Sequence, residues 1–163
     1  MSLRLALLAA MSLALACPAL ADDCAAPLAA QLLTAKTPHK LTTTQSGGGA
    51  VHTSSLIQTA DKIYLQVNGK WRLSPRTPAQ AAADVAEGAK TTKYACKATG
   101  SETVSGEGAD VYQIHSSNGD QVSDIKVWVS KTKKMTIKTE LTAGPTSISN
   151  LYDYANVQAP ALN

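Results

Sequence analysis

The chain has 163 residues, of which 44% are hydrophobic and 17% are charged, and it contains no phenylalanine. This composition excludes an intrinsically disordered chain and predicts a core built mostly from aliphatic side chains and alanine. The formal net charge is +3 and is spread along the sequence. Such a weak field excludes a protein that depends on a basic surface to bind nucleic acid.

The start of the chain has the pattern of an export signal. One positive charge at Arg4 precedes a short apolar stretch, and the small residues Ala19 and Ala21 follow it. Signal peptidase requires small residues at these two positions, and the apolar stretch is shorter than the roughly 20 residues of a membrane-spanning helix. We therefore expect residues 1–21 to be a cleaved signal peptide and residues 22–163 to form a single periplasmic domain.

A second processing site overlaps the signal. The sequence Ala14-Leu15-Ala16-Cys17 loosely resembles the lipobox of bacterial lipoproteins, in which the cysteine is lipidated and becomes the first residue. Ala14 stands where leucine is usual. The alternative to cleavage after Ala21 is therefore a protein anchored to the membrane by a lipid on Cys17.

On either processing route the domain retains Cys24 and Cys96 as pairing thiols. Two thiols in an oxidising compartment most simply form one disulfide. The closed ring of about 73 residues would disfavour the unfolded chain by about 4 kcal/mol. A redox-active pair is less favoured, because redox enzymes usually keep their cysteines two residues apart.

The segment from Asp22 to Thr37 is predicted to form a helix with one narrow apolar face. Leu28, Leu32 and Leu33 fall on one stripe at helical spacing. We expect this stripe to pack against the rest of the domain.

Strand patterns begin at Leu41. Asn68-Gly69 lies between the segments KIYLQV and KWRLS and predicts a tight β-hairpin, because both turn positions must accept positive φ. Ile63, Leu65 and Val67 share one face of the first of these strands.

A second helix is predicted from a capping box. Thr77 is placed to cap the helix, Pro78 fits its first position, and Gln80 completes the box, while Gly88 predicts the end. The inner stripe is nearly all alanine with Val85, so this helix can approach a sheet closely but buries little area.

The rest of the chain predicts an antiparallel meander, with turn signals at the spacing of successive strands. The strand segments are KYACKATGSETV, DVYQIHSS, VSDIKVWVS, KKMTIKTELT and SNLYDYANV.

Charges within the meander are segregated. They are all acidic between Ala98 and Ile125 and all basic from Lys126 to Lys138. This favours cross-strand pairing between neighbouring strands. The alternative is a transient contact with an anionic membrane surface through three lysines, which are Lys131, Lys133 and Lys134.

The strand around Trp128 is apolar on both faces. Trp128 shares its face with Lys126, whereas Val127 and Val129 lie on the other face. If helices cover one side only, a hydrophobic surface stays open for a ligand or partner. The alternative is that protein covers both faces.

No sequence motif carries a recognisable reaction. His39, His52 and His115 lie in different segments without metal-ligand spacing. His115 and Ser116 point to opposite faces of a predicted strand, and no G-x-S-x-G elbow is present in the sequence. We therefore expect a non-enzymatic protein with no catalytic residue, no metal site and no cofactor.

Several segments together resemble a family of small exported bacterial proteins. The segments are Lys62-Ile63-Tyr64-Leu65-Gln66-Val67, Gly69-Lys70-Trp71, Val111-Tyr112, Ile125-Lys126-Val127-Trp128-Val129-Ser130-Lys131 and Tyr152-Asp153-Tyr154. Their order is similar to that of the LolA-like lipoprotein carriers and lipoprotein-sorting proteins. The resemblance implies an α+β fold in which a curved antiparallel sheet forms a half-barrel, with an N-terminal helix and a short central helix packed on one side. It also implies an apolar hollow for acyl chains. The arginine that the carriers place on an early strand has no assigned counterpart here.

These observations predict a periplasmic protein that holds a lipid, an acyl chain or a lipidated protein between sheet and helices. The residues expected to line or border the hollow are Ile63, Leu65, Val67, Trp71, Val127 and Trp128. The alternative function is an interaction module or inhibitor that offers a sheet edge or the lysine-rich strand to a protein partner.

Overall fold

The structure is a computed structural model that describes residues 23–162. The predicted signal peptide and the lipidation site at Cys17 lie outside the described residues. The helices are α1 (Ala25–Lys36) and α2 (Pro78–Thr91). The strands are β1 (His39–Gly47), β2 (Ala50–Gln58), β3 (Ile63–Val67), β4 (Lys70–Leu73), β5 (Lys93–Val104), β6 (Glu107–Asn118), β7 (Gln121–Ser130), β8 (Thr136–Ala143) and β9 (Thr146–Asp153).

The described residues form one sheet of nine antiparallel strands in the order β4-β3-β2-β1-β9-β8-β7-β6-β5. Strand β1 pairs with the last strand, β9, and α2 carries the chain from β4 at one edge to β5 at the other. Helix α1 packs on β7 and β8, and α2 packs on α1. The sheet is curved and does not close. The predicted α+β half-barrel, with two helices on one side of a curved antiparallel sheet, is therefore confirmed.

The disulfide between Cys24 and Cys96 is confirmed and joins the start of α1 to β5. Next to it, the Asp23 carboxylate accepts a hydrogen bond of 2.9 Å from the backbone N–H of Ala98. Together these contacts attach the first turn of α1 to the edge of the sheet.

Helix α2 begins as predicted but ends later. The Thr77 hydroxyl accepts from the Gln80 N–H, and the Gln80 side chain accepts from the Thr77 N–H, which completes the capping box. Gly88 does not end the helix, since the helix continues to Thr91 and the Gly88 carbonyl accepts from the Thr92 N–H. A glycine terminates a helix when its φ is positive, and Gly88 does not have that conformation.

The packing face of helix α1 coincides only in part with the predicted one. Its buried residues are Pro27, Ala30 and Thr34, whereas Leu33 is 43% exposed. The small side chains let the helix lie close to β7 and β8, and its rotation is fixed by the disulfide and by a buried hydrogen bond that the Thr34 hydroxyl accepts from the Thr136 N–H. Leu28 and Leu32 are half-buried and Leu33 is exposed, so the predicted leucine stripe lies beside the packing face and forms only part of it.

The sheet carries a hydrophobic cluster on each face. On the helix face, which we define as the face covered by α1, Ala30 packs with Ile114, Val127 and Val129. On the opposite face, Trp128 packs within a cluster with Val111, Ile137 and Ala109. Partly buried Val104 and Tyr154 complete this second cluster.

The opposite face is thus covered by protein around Trp128, which is only 1% exposed. The ammonium groups of Lys126 and Lys138 each lie 4.5 Å from its ring centroid. Its indole N–H donates to Glu102 at 2.8 Å. Hydrogen bonds from Lys126 and then from Trp128 lower the pKa of Glu102. Of the two alternatives for this strand, coverage of both faces is what the structure shows at Trp128.

Acidic and basic segments do pair, but not always between neighbouring strands. Lys131 lies 3.4 Å from Asp110 of β6 and Lys133 forms an ion pair with Glu107 of β6, whereas Lys126 on β7 lies 2.8 Å from Glu102 on β5, across β6. These pairs are largely exposed, so each contributes little to stability.

Within residues 23–162, none of the helices combines the length and the apolar character needed to cross a lipid bilayer.

A candidate ligand cavity between the helices and the sheet

A cavity of about 480 Å³ lies between the two helices and the helix face of the sheet. Helix α1 contributes Pro27, Gln31, Thr34 and Ala35 to its wall, and α2 contributes Ala81 and Val85. The helices supply mostly short side chains, because α1 buries small residues and α2 is rich in alanine. Short side chains at this position leave the space unfilled.

One half of the cavity is apolar. It is formed by Ile125 and Val127 on β7, Ile114 on β6 and Tyr94 on β5, with Val85 of α2 above them. The alternation of side chains along β6 and β7 places these residues on the same face. Ser116 is the polar residue at the border of this half.

The other half of the cavity is polar. It is formed by His39 on β1, Gln58 on β2, Asn150 and Tyr152 on β9, and Thr139 on β8. These strands are neighbours in the sheet although β1 and β9 lie far apart in the sequence. The polarity of the wall therefore changes along the strand order, from apolar at β5–β7 to polar at β8, β9, β1 and β2.

His39 is buried in the polar half. Its Nδ1 atom lies 2.8 Å from the backbone carbonyl of Thr37. Because a carbonyl oxygen can only accept, Nδ1 carries the proton, and Nε2 of the neutral ring is an acceptor. Burial lowers the pKa of His39, so the ring is neutral at pH 7. Its ring centroid lies 5.5 Å from that of Tyr152.

Gln58 connects the sheet to the end of α1. Its amide nitrogen donates to the carbonyl of Ala35 at 2.9 Å and to that of Thr37 at 3.4 Å. These are carbonyls that the helix end cannot pair internally. Since the nitrogen is used in this way, the amide oxygen is left as an acceptor with no hydrogen-bond partner among the described residues.

The remaining polar side chains differ in how far they are paired. Asn150 accepts from the Thr43 hydroxyl at 2.7 Å and donates to the Thr139 hydroxyl at 3.0 Å. The Tyr152 hydroxyl has no hydrogen-bond partner within residues 23–162. Burial raises the pKa of Tyr152, so its hydroxyl stays protonated at neutral pH.

A buried hydrogen-bonded ring fixes α1 beside the cavity. The Thr34 hydroxyl accepts from the Thr136 N–H at 3.0 Å and lies 3.0 Å from the Tyr154 hydroxyl. The Tyr154 hydroxyl donates to the Thr136 carbonyl. Burial raises the pKa of Tyr154, which therefore remains a donor. This ring sets the distance between helix and sheet at the cavity wall.

No Asp, Glu, Lys or Arg is among the described residues that line the cavity. The described part of the chain also holds no group of three or more His, Cys, Asp or Glu side chains that could bind a metal ion. The site therefore has hydrogen-bonding groups and apolar surface, but no formal charge at neutral pH.

The structure places the residues predicted to line a hollow in three locations. Val127 lines the cavity, and Trp128 lies on the opposite face. Ile63 is buried on β3, whereas Leu65 and Val67 are 38% and 46% exposed. Trp71 lies half-buried on β4. The cavity thus gathers one of these six residues, and a ligand-binding role for the other five stays a prediction.

Sequence reasoning missed His39 and Gln58 as wall residues of one site. They lie on β1 and β2, directly opposite each other in the register. The alternation in DVYQIHSS does place Ile114 and Ser116 on one face, and this signal could have identified the apolar half. No local pattern connects that half with β1 and β9.

The three lysines predicted to contact a membrane differ in environment. Lys131 and Lys133 are ion-paired, whereas exposed Lys134 forms no ion pair among the described residues. The membrane contact stays a prediction.

No protein-family model and no curated protein matches the chain. Among solved structures, a chain of the Pseudomonas aeruginosa MucA/MucB complex is similar, with 14% identity and a TM-score of 0.53. That match covers 81% of this chain and 57% of the other, so this chain spans little more than half of the matched length.

Two further similar structures cover most of both chains. The Mycobacterium tuberculosis lipoprotein LppX shares 14% identity over 82% of this chain and 98% of its own, with a TM-score of 0.46. A LolA superfamily protein from Nitrosomonas europaea shares 8% identity over 78% of this chain and 88% of its own, with a TM-score of 0.31. At 14% identity, the likeness to the chain of the MucA/MucB complex is a likeness of fold.

Proposed function

We propose that this protein is a non-enzymatic periplasmic binding protein that holds a lipid, an acyl chain or another hydrophobic ligand between sheet and helices. The observation that carries this proposal is the cavity of about 480 Å³ with an apolar half and no charged wall residue. This volume lies within the range of roughly 300–1,000 Å³ that is usual for small-molecule sites. A lipidated protein would use the same site through its acyl chain.

The shape of the site supports one apolar ligand rather than a catalytic centre. Burying an acyl chain against Ile114, Ile125 and Val127 is favourable by about 25 cal/mol per Å² of apolar area removed from water. His115 is paired with Asp124 at 2.9 Å on an exposed part of the sheet, away from the cavity wall. His39 is the cavity's imidazole, and no carboxylate lies beside it in the wall.

Uptake of an apolar fluorescent probe tests the proposal. Diphenylhexatriene should bind the purified protein saturably with a stoichiometry near one. The substitution Val85→Trp places an indole in the apolar half and should reduce probe binding at least about tenfold, because the space for the ligand is filled. Ala83→Trp, at an exposed position of the same helix, is the matched control and should bind normally.

Native mass spectrometry of protein purified from its own host provides an independent test. A co-purified apolar molecule is expected on the wild-type protein and not on Val85→Trp. Absence of both a co-purified molecule and saturable probe uptake would contradict the proposal.

The second candidate function is an interaction module or inhibitor. Exposed Leu65, Val67 and Leu73 on the short β3–β4 hairpin at a sheet edge favour it, since apolar edge residues promote contact with another chain. The similarity to a chain of the MucA/MucB complex is consistent with a domain that can sit in a protein complex.

Charge reversal separates ligand binding from an interaction module that uses the lysine-rich segment after β7 instead of the β3–β4 hairpin. Lys134→Glu removes an exposed, unpaired charge from the loop that follows β7, whereas reversal of Lys133 would also repel Glu107. An interaction module that uses this loop should lose partner capture in Lys134→Glu and retain probe uptake. A ligand carrier should retain both properties.

We also propose export with cleavage after Ala21, with lipidation at Cys17 as the alternative. The disulfide is consistent with an oxidising compartment. Intact-mass measurement distinguishes the routes, since a mature protein starting at Asp22 has no acyl mass and one starting at Cys17 carries it.

A further inference from the structure

The polar half of the cavity has a defined hydrogen-bonding character. The proton on Nδ1 of His39 is used by Thr37, which leaves Nε2 as an acceptor. The amide nitrogen of Gln58 is used by Ala35 and Thr37, which leaves its oxygen as an acceptor. Two unpaired acceptors therefore lie on neighbouring strands of the same wall, at residues that pair directly in the β1–β2 register.

The neighbouring side chains do not supply a compensating positive charge. Asn150 has both amide atoms engaged by threonine hydroxyls. The Tyr152 hydroxyl is neutral and can donate or accept one bond. No cationic side chain lies among the described wall residues.

The two acceptors and the absence of a cation discriminate between chemical classes of ligand. A carboxylate or phosphate presents acceptors only, so it would face the acceptors of His39 and Gln58, and neutral donors such as the Tyr152 hydroxyl would not compensate for its lost hydration. A hydroxyl or a primary amide presents a hydrogen that these acceptors can receive. Such a head would pair the two acceptors that face the cavity and that no described protein group engages.

The apolar half determines the orientation in which a ligand lies in the cavity. Ile114, Ile125 and Val127 lie towards β5–β7, and the acceptors lie towards β1 and β2. A molecule with one hydrocarbon chain and one polar end can satisfy both halves in one orientation.

We propose that the ligand is an uncharged single-chain amphiphile whose hydroxyl or amide head donates to His39 Nε2 and Gln58 Oε1, while its tail lies against Ile114, Ile125 and Val127. This inference rests on the proposed binding function and names the chemical class of its ligand.

Displacement of diphenylhexatriene by four dodecyl compounds tests the proposal at pH 7.5. The compounds are dodecan-1-ol, monododecanoylglycerol, methyl dodecanoate and sodium dodecanoate. The alcohol and the monoacylglycerol should displace the probe at concentrations about tenfold lower than the methyl ester, because the ester has no donor for the acceptors of His39 and Gln58. Dodecanoate should be the weakest, again by at least about tenfold.

Two conservative variants assign the preference to its residues. His39→Asn preserves a donor that can reach the Thr37 carbonyl but removes Nε2, and it should reduce the preference for alcohol over ester to less than about threefold. His52→Asn makes the same substitution at an exposed position of β2 outside the cavity wall, and this matched control should preserve the preference.

The outcomes separate this proposal from the binding function. Equal displacement by all four compounds would overturn the inference about the head group and leave the binding function intact. Strong displacement by dodecanoate at pH 7.5, where its carboxylate is ionised, that is lost in His39→Asn would also overturn it, since His39 would then act as a cation. Failure of diphenylhexatriene itself to bind would instead contradict the binding function.

Discussion

The two faces of the sheet are packed in different ways. On the opposite face, one large side chain, Trp128, occupies the centre and is covered by Val111, Ile137 and the ammonium groups of two lysines, while clefts of about 480 and 420 Å³ lie around Val104 and Leu151. On the helix face, small residues of α1 and the alanine-rich α2 lie over the sheet, and a cavity of about 480 Å³ is left beneath the helices. Side-chain volume therefore decides whether the middle of a face is filled, as it is by Trp128, or left open, as it is under the helices.

Truncation of Trp128 should lower the stability of the protein more than any other change considered for the two faces. Trp128→Ala removes the side chain at the centre of the opposite face and is expected to lower the free energy of unfolding by about 3–5 kcal/mol. Urea denaturation at neutral pH measures this loss. Probe binding by the protein that remains folded should be unchanged, because the tryptophan does not line the cavity. Loss of probe affinity in the folded variant would show that the two faces are not independent.

Removal of the disulfide should affect the helix face specifically. The double variant Cys24→Ala and Cys96→Ala is expected to lose about 2–4 kcal/mol of stability, because the unfolded chain regains its freedom. Amide hydrogen exchange should increase first in α1, which the bond attaches to β5. Faster exchange at Trp128 and Val111 before α1 would contradict this order. Reduction of the wild-type protein provides the matched comparison.

Lower pH should weaken the helix face through His39. Burial lowers the pKa of His39 below its ordinary value of 6.5. Below pH 6.5 the unfolded chain therefore binds a proton that the folded protein does not, and stability falls as the pH drops towards the folded pKa. The slope for one proton is at most about 1.4 kcal/mol per pH unit.

Thermal unfolding between pH 5 and pH 8 checks this dependence. In His39→Asn the stability should depend less on pH than in the wild type. His52→Gln, at an exposed position on β2, should retain the wild-type pH dependence. A profile that is identical in wild type and His39→Asn would refute the role assigned to this imidazole.

The smallest effect is expected at Thr136, next to the cavity. Its hydroxyl oxygen is buried without a hydrogen-bond partner, although its backbone N–H and carbonyl are both paired. Thr136→Val removes an unpaired polar atom at nearly constant volume and should change stability by less than about 1 kcal/mol, in the stabilising direction. Thr34→Val is the contrast, because it breaks two buried hydrogen bonds and should destabilise the protein. Differential scanning calorimetry on both variants measures the difference.

The sequence predicted those parts of the fold that depend on neighbouring residues. The Asn68-Gly69 turn and the capping box at Thr77 are short-range signals, and the structure contains both. The pairing of Cys24 with Cys96 was predictable because the compartment and the count left one simple solution. The alternation along β7 correctly separated Val127 from Trp128.

Other features depend on tertiary contacts and could not be read from local patterns. The leucine stripe of α1 forms only part of its packing face, since the bonds of Thr34 and the disulfide fix the helix in another rotation. Likewise His39 and Ile114 line the same cavity only because β1 pairs with β9, and β8 and β7 then connect β9 to β6 in the sheet. Helical periodicity and strand alternation carry no information on such an arrangement.

The pairing of β1 with β9 also determines the order in which the protein can be completed. Lys40 pairs with Asp153, so the second edge of β1 stays open until β9 has been made. An open strand edge is a site for unwanted pairing with other chains, and long-range pairing slows folding. The many Thr and Ser residues of β1 and β2 make the unpaired edge of β1 polar and therefore less prone to aggregation. The sheet is therefore complete only when the eight-residue strand β9 has paired. A chain truncated before Thr146 would leave the core of the domain exposed to proteolysis.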